Sequence, residues 1–313
     1  MKEAIAAAAK DPTEAPSMVR PSDRMPDSPE SLRKALWQEN YLADDQTCTV
    51  SYLALRLGKP LLVEGPAGTG KTELAKALSR SLGLDLIRLQ CYEGLDESKA
   101  LYEWNYRKQL LRIQAEQRGD ADWDEISRGI FTEEFLLERP LLKAIRAPSQ
   151  CLLLVDEVDR LEIETEALFL EVLSDFQVSI PELGTVTART RPVVVLTSNA
   201  TRDLSEALKR RCLYLYLDYP SVDREKEILL AKVPGISEHV ATQVARLMRS
   251  IRQIDLKKCP SISESIDWAR TLVELGVLDL EQQDAPISST LSVVLKNKSD
   301  IDRVKKDLKL EDG

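Results

Sequence analysis

Residues 61–72 read Leu61-Leu62-Val63-Glu64-Gly65-Pro66-Ala67-Gly68-Thr69-Gly70-Lys71-Thr72, and Glu73 to Leu82 follow with Leu74, Ala75, Leu78 and Leu82 at helical spacing. A short apolar strand therefore enters a glycine-rich turn, and the turn opens a helix that Gly83 ends. The centre satisfies G-x-x-x-x-G-K-[ST] in full, in the strand–loop–helix context that gives the pattern its meaning. Glycines let the backbone wrap so that several N–H groups face inward onto anionic oxygens. The helix beginning near Lys71 adds its positive end. Gly65, Pro66, Ala67, Gly68, Thr69, Gly70, Lys71 and Thr72 thus read as a phosphate cradle. Lys71 is a point charge for β and γ phosphates, and the Thr72 hydroxyl is a ligand for Mg2+. A glycine turn without a ligand is the competing reading, and it must account for both motif and context.

Outward from this loop, apolar runs alternate with helical segments. Strands are predicted at Leu84–Leu89, Cys151–Val155, Pro192–Thr197 and Leu213–Leu217, with helices at Thr72–Leu82 and Glu162–Leu173. Continuous apolar strands separated by helices imply a parallel sheet covered on both faces. Phe176–Ile180 and Thr185–Ala188, joined by Pro181-Glu182-Leu183-Gly184, read as a β-hairpin. Two helices precede the loop, at Ser31–Tyr41 and Thr47–Leu57. After Tyr219-Pro220 the strand signals stop, and Glu225–Ala231, Val240–Ile251, Ile262–Leu275 and Asp300–Leu308 are helical in pattern. The expected organisation is a flexible proline-rich leader over 1–30, an α/β domain over 31–220, and a smaller all-α domain with a tail over 221–313. The leader is inferred from Pro12, Pro16, Pro21, Pro26 and Pro29 among charges and serines.

Composition narrows the class. The chain has 313 residues, 43% hydrophobic and 30% charged, which suits a protein with a real core. No stretch approaches the ~18 unbroken apolar residues of a membrane helix. The weak apolar run from Ala4 to Ala9 is followed by Asp11 and Pro12 and does not read as a secretory signal. A net charge of −9 argues against non-specific nucleic-acid binding. Cys48, Cys91, Cys151, Cys212 and Cys259 are dispersed, with no CxxC pair, so a reducing, cytoplasmic compartment is expected rather than a disulfide framework or zinc site. The single histidine, His239, lies in a polar helical stretch and reads as a surface residue.

Two carboxylates end the strand Cys151–Val155. The carboxyl ends of parallel strands are where ligands bind in open α/β sheets, so Asp156 is a candidate for holding Mg2+ and Glu157 for polarising an attacking water. Asp159 reads as a surface charge, with a subunit-contact role as the alternative. Val193–Asn199 ends in polar groups. Asn199 stands where a side chain can reach a γ-phosphate or the water, with Thr197 and Ser198 as alternatives and a plain turn residue as the competing reading. Arg210 and Arg211 precede the last strand. One of them is a candidate arginine finger for a neighbouring subunit, and a solvated basic helix end explains them equally well. Tyr41 and Leu42 are candidates for packing on the base or for a helix end against the lid.

The order Gly65–Thr72, Asp156-Glu157, Asn199, Arg210/Arg211 resembles AAA+ ATPases. Val63–Pro66, Val155–Arg160, Glu171–Ser174 with Ile180–Gly184, and Leu196–Asn199 resemble the MoxR-type branch. Cys91–Asp96 with Tyr102-Glu103-Trp104 resembles CoxD-like members, linked to maturation of molybdenum/copper carbon monoxide dehydrogenase. The resemblance covers about residues 45–275. It implies a P-loop NTPase sheet sandwiched by helices, a helical lid, and a ring, usually a hexamer, that binds ATP between subunits. Asn199 would be the first sensor, and Arg210 or Arg211 would act in trans. Partners would be a von Willebrand A domain protein and a client metalloenzyme, and the hairpin at 176–188 would face the pore or substrate side. One departure stands out. Where many members carry an Arg in a Ser-Pro-Arg-Ala-like lid motif, this chain reads Ser261-Ile262-Ser263-Glu264-Ser265, and Arg270 lies two turns on.

Three functions are open at this point. The first is ATP-driven remodelling or cofactor maturation, with water attacking the γ-phosphate. The second is a nucleic-acid-dependent motor on the same scaffold, which the charge disfavours. The third is a non-hydrolysing, ATP-dependent assembly scaffold, suggested by the missing lid Arg. A small-molecule kinase fits poorly, because the acidic pair and the basic pair belong to water activation between subunits.

Overall fold

The computed structural model describes residues 25–116, 129–281 and 286–309. The leader expected over 1–30 lies outside the described residues as far as residue 24, and its end is not a leader. Ser28 caps helix α1 (Pro29–Gln38) by accepting the Ser31 N–H, and Pro29 opens the helix. A proline at that position gives up an N–H with no helical partner, so Pro29 starts a helix where the composition suggested a flexible leader. Helix α2 (Asp45–Leu57) follows, capped by Asp44 and closed by Gly58 in the left-handed conformation.

Along the chain come β1 (Leu61–Glu64), α3 (Lys71–Leu82), β2 (Asp85–Gln90), α4 (Glu97–Ala100), β3 (Tyr102–Trp104), α5 (Tyr106–Glu116), β4 (Leu136–Glu138), α6 (Pro140–Ile145), β5 (Cys151–Asp156) and α7 (Ile163–Asp175). Then come β6 (Gln177–Ile180), β7 (Gly184–Thr187), β8 (Val193–Ser198), α8 (Glu206–Lys209) and β9 (Leu213–Tyr216). Five strands form one sheet in the order β2-β5-β8-β1-β9. Every pairing in it is parallel. Successive strand side chains point to opposite faces, and the core shows it. Leu61, Val63, Leu152, Leu154 and Val195 pack into a cluster with α1, α2 and α3. Leu62, Leu153, Val155, Val194 and Leu196 pack into another with α6 and α7. This is the sandwiched α/β sheet that the apolar runs imply. Hairpin β6–β7 is antiparallel, pairing Gln177 with Thr187, within a residue of the expected strands. The small ribbon β3–β4 pairs Tyr102 with Glu138 and interrupts the chain between β2 and β5.

From Val222 the described chain is helical: α9 (Val222–Lys232), α10 (Glu238–Arg252), α11 (Ile262–Glu274), α12 (Ile287–Val294) and α13 (Lys298–Asp307). A third cluster around Trp268, Val244, Met248 and Leu291 fills this part, and the Trp268 indole N–H donates to Thr290 at 2.9 Å. A buried ion pair lies beside it. Arg252 donates to both Glu225 oxygens at 2.7 and 2.8 Å, and Ser265 donates to Glu225 at 2.6 Å. The guanidinium also donates to the Pro260 carbonyl at 2.9 Å and lies 4.7 Å from the centre of the Tyr219 ring. The pair ties α9, α10 and α11 to the segment that leaves β9.

Two carboxylates on the exit of β5 organise the loop after β8. Asp159 is 3% exposed, not the surface charge the sequence suggested. It accepts the Asn199 N–H at 3.1 Å, the Thr201 N–H at 3.1 Å and the Thr201 hydroxyl at 2.6 Å. Burial pushes its carboxyl pKa up, and the Thr201 and Asn199 hydrogen bonds outweigh that, leaving it below the ordinary value. Glu166 on α7 accepts from Arg202 at 2.5 Å and from the Ser205 N–H at 3.1 Å.

Two predictions follow from these carboxylates. Replacing Arg252 with Met leaves Glu225 buried and unpaired, and is expected to cost about 3–5 kcal/mol in denaturant unfolding, most of it recovered when Glu225→Leu is added. Ionised Asp159 stabilises the fold above the unfolded carboxyl pKa of ~3.9, and that contribution is lost as the pH falls through its lower folded value. The melting temperature of the native chain should therefore fall more steeply than that of Asp159→Asn as acid is added below about pH 4; parallel curves would contradict this.

Candidate active site

The phosphate loop is held from both sides. Gly65 donates its N–H to Ser198 at 3.3 Å, and Leu217 donates to Glu64 at 2.8 Å, so the loop springs from the carboxyl edge shared by β1, β8 and β9. A Cβ on Gly65 would lie 1.9 Å from the Leu217 carbonyl oxygen. A Cβ on Gly68, whose φ is +74°, would lie 2.1 Å from Ser261 Cβ on the helical part. Ile262 at the start of α11 donates its N–H to the Gly68 carbonyl at 3.2 Å. Only glycine admits both contacts.

Lys71 is 5% exposed and donates from Nζ to the Gly65 and Pro66 carbonyls at 2.8 and 2.6 Å. Burial lowers its pKa, opposed by the charges of Asp159, Asp156, Glu157 and Glu64. The Thr72 hydroxyl donates to Asp156 Oδ1 at 2.9 Å. Asp156 is 2% exposed. Thr197 on β8 also donates to Oδ1, at 2.5 Å, while accepting the Glu157 N–H at 2.9 Å. Arg88 on β2 donates to Oδ2 from Nε at 3.0 Å and from a terminal nitrogen at 2.6 Å. Glu157 has left-handed backbone angles, φ 58° and ψ 50°. A non-glycine residue there carries strain of about 1–3 kcal/mol and marks a place where the surroundings dictate the turn. Its carboxylate pairs with Arg160 Nε at 2.8 Å.

These groups share one cavity of about 500 Å3. Ala67 to Thr72, Asp156, Glu157, Thr197 and Asn199 line one wall, Asn40, Tyr41 and Leu42 another, and Ile228, Lys232, Ile262, Ser263 and Ile266 the helical side. Of the three polar groups weighed at the end of β8, Thr197 is committed to Asp156 and Glu157, and Ser198 accepts the Ala200 N–H at 3.0 Å. Asn199 lines the cavity with no side-chain hydrogen bond among the described residues. Tyr41 and Leu42 line it too, on the side toward Gly70. Arg270 does not. It is exposed and reaches Asp267 at 3.6 Å and the Lys232 carbonyl at 3.4 Å. The helical side of the cavity contributes Ser263 and one ammonium among the described residues, Lys232.

Arg210 and Arg211 lie outside the cavity, after α8. Arg211 is tethered to the Ser174 hydroxyl and donates to the Ala207 carbonyl at 2.8 Å. Arg210 is exposed and has no side-chain hydrogen bond or ion pair among the described residues. Sequence reasoning missed Arg88 and Arg160, since an arginine on a strand or beside an acidic run carries no pattern of its own. It weighed Thr197 only as an alternative to Asn199, although a hydroxyl at the end of the strand next to an Asp-Glu pair was a usable signal.

The donor set fits Mg2+. Hard oxygens from a hydroxyl and a buried carboxylate meet 2.9 Å apart at the mouth of the phosphate loop. The cavity volume is that of a small-molecule site, and loop residues 67–72 line it.

The chain is 25% identical over 242 residues to the denitrification regulatory protein NirQ of Pseudomonas aeruginosa, covering 74% of this chain and 83% of that one. It is 25% identical over 211 residues to the gas vesicle ATPase GvpN of Haloferax mediterranei, covering 64% of this chain and 58% of that one. Among solved structures it is similar to the RuvB Holliday junction branch migration motor of Thermotoga maritima, with a TM-score of 0.44 and 15% identity over 92% of this chain and 74% of that one. The family described as "ATPase family associated with various cellular activities (AAA)" matches residues 61–217, from the first residue of β1 to the first residue after β9. The chain belongs to this AAA family of ATPases.

Proposed function

We propose that the chain is a Mg2+-dependent ATP hydrolase of the MoxR type, working in a ring in which residues 221–313 form the lid. The observation that carries this reading is the 2.9 Å bond between Thr72 and Asp156 inside the cavity lined by the loop, which joins phosphate cradle and strand-end carboxylates in one cleft. Backbone N–H groups of residues 67–72 and the ammonium of Lys71 bind the β and γ phosphates. Thr72 and Asp156 hold Mg2+, which when bound neutralises charge developing on the phosphate oxygens. Glu157 accepts the proton of the attacking water once its carboxylate leaves Arg160, and Asn199 orients that water or the γ-phosphate. Thr197 fixes Asp156 and Glu157 relative to each other. Tyr41, Leu42 and the isoleucines of α9 and α11 form the apolar wall for the base.

Arg210 is the better candidate for the residue acting on a neighbour's phosphate, because Arg211 is already tied to Ser174 and Ala207. The client belongs to a further step. Similarity of residues 91–104 to CoxD-like members supports a chaperone role on a metalloenzyme, such as molybdenum/copper carbon monoxide dehydrogenase, together with a von Willebrand A domain partner. A second reading, an ATP-dependent scaffold that does not turn over, is favoured by the Glu157–Arg160 pair and the serine at position 263. Steady-state phosphate release at saturating ATP separates the two.

Two sets of variants test the mechanism. Glu157→Gln should keep nucleotide binding and lower phosphate release by ~10²–10⁴, and unaltered release would remove Glu157 from the mechanism. The same variant, tagged and held with ATP, should co-purify with its client. Arg210→Ala should lower turnover by ~10³ or more while Arg211→Ala has a smaller effect. Mixing Arg210→Ala chains with Lys71→Ala chains should restore part of the activity, because some sites then combine an intact cradle with an intact Arg210. No recovery would argue against a site shared between subunits.

A further inference from the structure

Among the described residues the Asp156 carboxylate accepts four hydrogen bonds, two on each oxygen, and the two oxygens take different kinds of donor. Oδ1 takes the two hydroxyls, Thr72 at 2.9 Å and Thr197 at 2.5 Å. Oδ2 takes both contacts of Arg88, at 3.0 and 2.6 Å. The carboxylate is 3% exposed at its side chain, while the arginine is 46% exposed. Arg88 is not part of the cavity wall. It reaches Asp156 from the β2 side, where β2 lies parallel to β5 with Arg88 opposite Leu154 and Gln90 opposite Asp156. Its guanidinium also donates to the Gln90 side-chain carbonyl. A guanidinium is a permanent cation, so this contact supplies positive charge at the carboxylate that the proposed metal site shares with Thr72.

We infer that Arg88 is a tethered counter-cation that competes with Mg2+ for Asp156 and so sets the Mg2+ concentration at which the site loads. The inference rests on the Mg2+–ATP reading above. Two effects act in the same direction. Arg88 occupies the carboxylate oxygen that the two hydroxyls leave available, and its charge repels a divalent ion. The partner Gln90 gives the guanidinium a second acceptor on its own strand, so it can leave Oδ2 without losing every bond. Three residues after Arg88, Cys91 donates its N–H to the Asp156 carbonyl at 2.8 Å, so the backbone of Asp156 is also tied to the chain just after β2. Arg88 is a positioning residue in this scheme, since it acts through Asp156 and not on the nucleotide.

The test is a MgCl2 titration of the binding of a fluorescent ADP analogue, read by emission without turnover, on the full chain and on Arg88→Met. The variant should need roughly tenfold less MgCl2 for half-saturation, the loss of a charge-assisted hydrogen bond from the competing state. Its affinity for the analogue in EDTA should be unchanged. Mg2+ with ADP should also raise its melting temperature more than that of the native chain. An unchanged or higher MgCl2 requirement overturns the inference, including the case where the variant simply melts lower at every MgCl2 concentration, which is the mark of a purely structural role. If Arg88→Met does not fold, Arg88→Lys serves. It keeps the charge with fewer donors and should need about threefold less MgCl2, and no change overturns the inference. Failure of the native chain to bind the analogue at any MgCl2 concentration is a different result, which removes the nucleotide reading itself.

Discussion

A carboxylate buried at the end of a parallel strand is the constraint around which this molecule is arranged. Taking the charge of Asp156 out of water is costly unless its oxygens are met by donors. The donors come from three elements: Thr72 at the start of α3, Thr197 near the end of β8, and Arg88 on β2. Satisfying one carboxylate therefore locks the phosphate loop and the two flanking strands into a common frame. The left-handed turn at Glu157 belongs to the same frame, because the N–H of that residue is spent on the hydroxyl that also serves Asp156.

The next tier is built the same way. Asp159 draws in the backbone of residues 199 and 201, and Glu166 one turn into α7 holds Arg202 and Ser205. Leu204 anchors the loop after β8 in the core, and hydrogen bonds to these buried acids fix the rest of its path. That path ends at α8 and the two arginines. Asn199 inside the cavity and Arg210 on the outer surface are thus set by one stretch of chain pinned at two points. Acidic residues clustered after β5 serve different ends according to what they meet: hydroxyls, an arginine, or backbone N–H groups.

The sheet was readable because its strands are uniformly apolar and sit between helical patterns, and because the loop motif fixes the first crossover. Boundaries agreed to within a residue or two for β1, β5 and β8. Errors arose where a residue's type is compatible with opposite environments. Asp159 looks like a surface charge, since nothing local announces that the Asn199 and Thr201 N–H groups will converge on it from forty residues away. Pro29 looks like part of a leader, and only Ser28 before it signals a helix start. The β3–β4 ribbon and α12 went unread, being too short or too weakly periodic to stand out. Among the site residues, the contiguous motif was legible; Arg88 was not, since a salt bridge across strands leaves no spacing rule in the chain, and Arg160, three residues after Glu157, looks like the rest of a charged run.

The meeting of Gly68 with Ser261 and Ile262 has a mechanical meaning. A hinge between two bodies normally lets one rotate while the other stays rigid. Here the first turn of α11 rests directly on the anion-binding backbone, joined by a main-chain hydrogen bond and by a fit too tight for a methyl group. Any rotation of the helices must drag or release that backbone, and any ligand that reshapes the backbone must push the helices. The contact couples the two through peptide groups, without a long cationic side chain to bridge the gap.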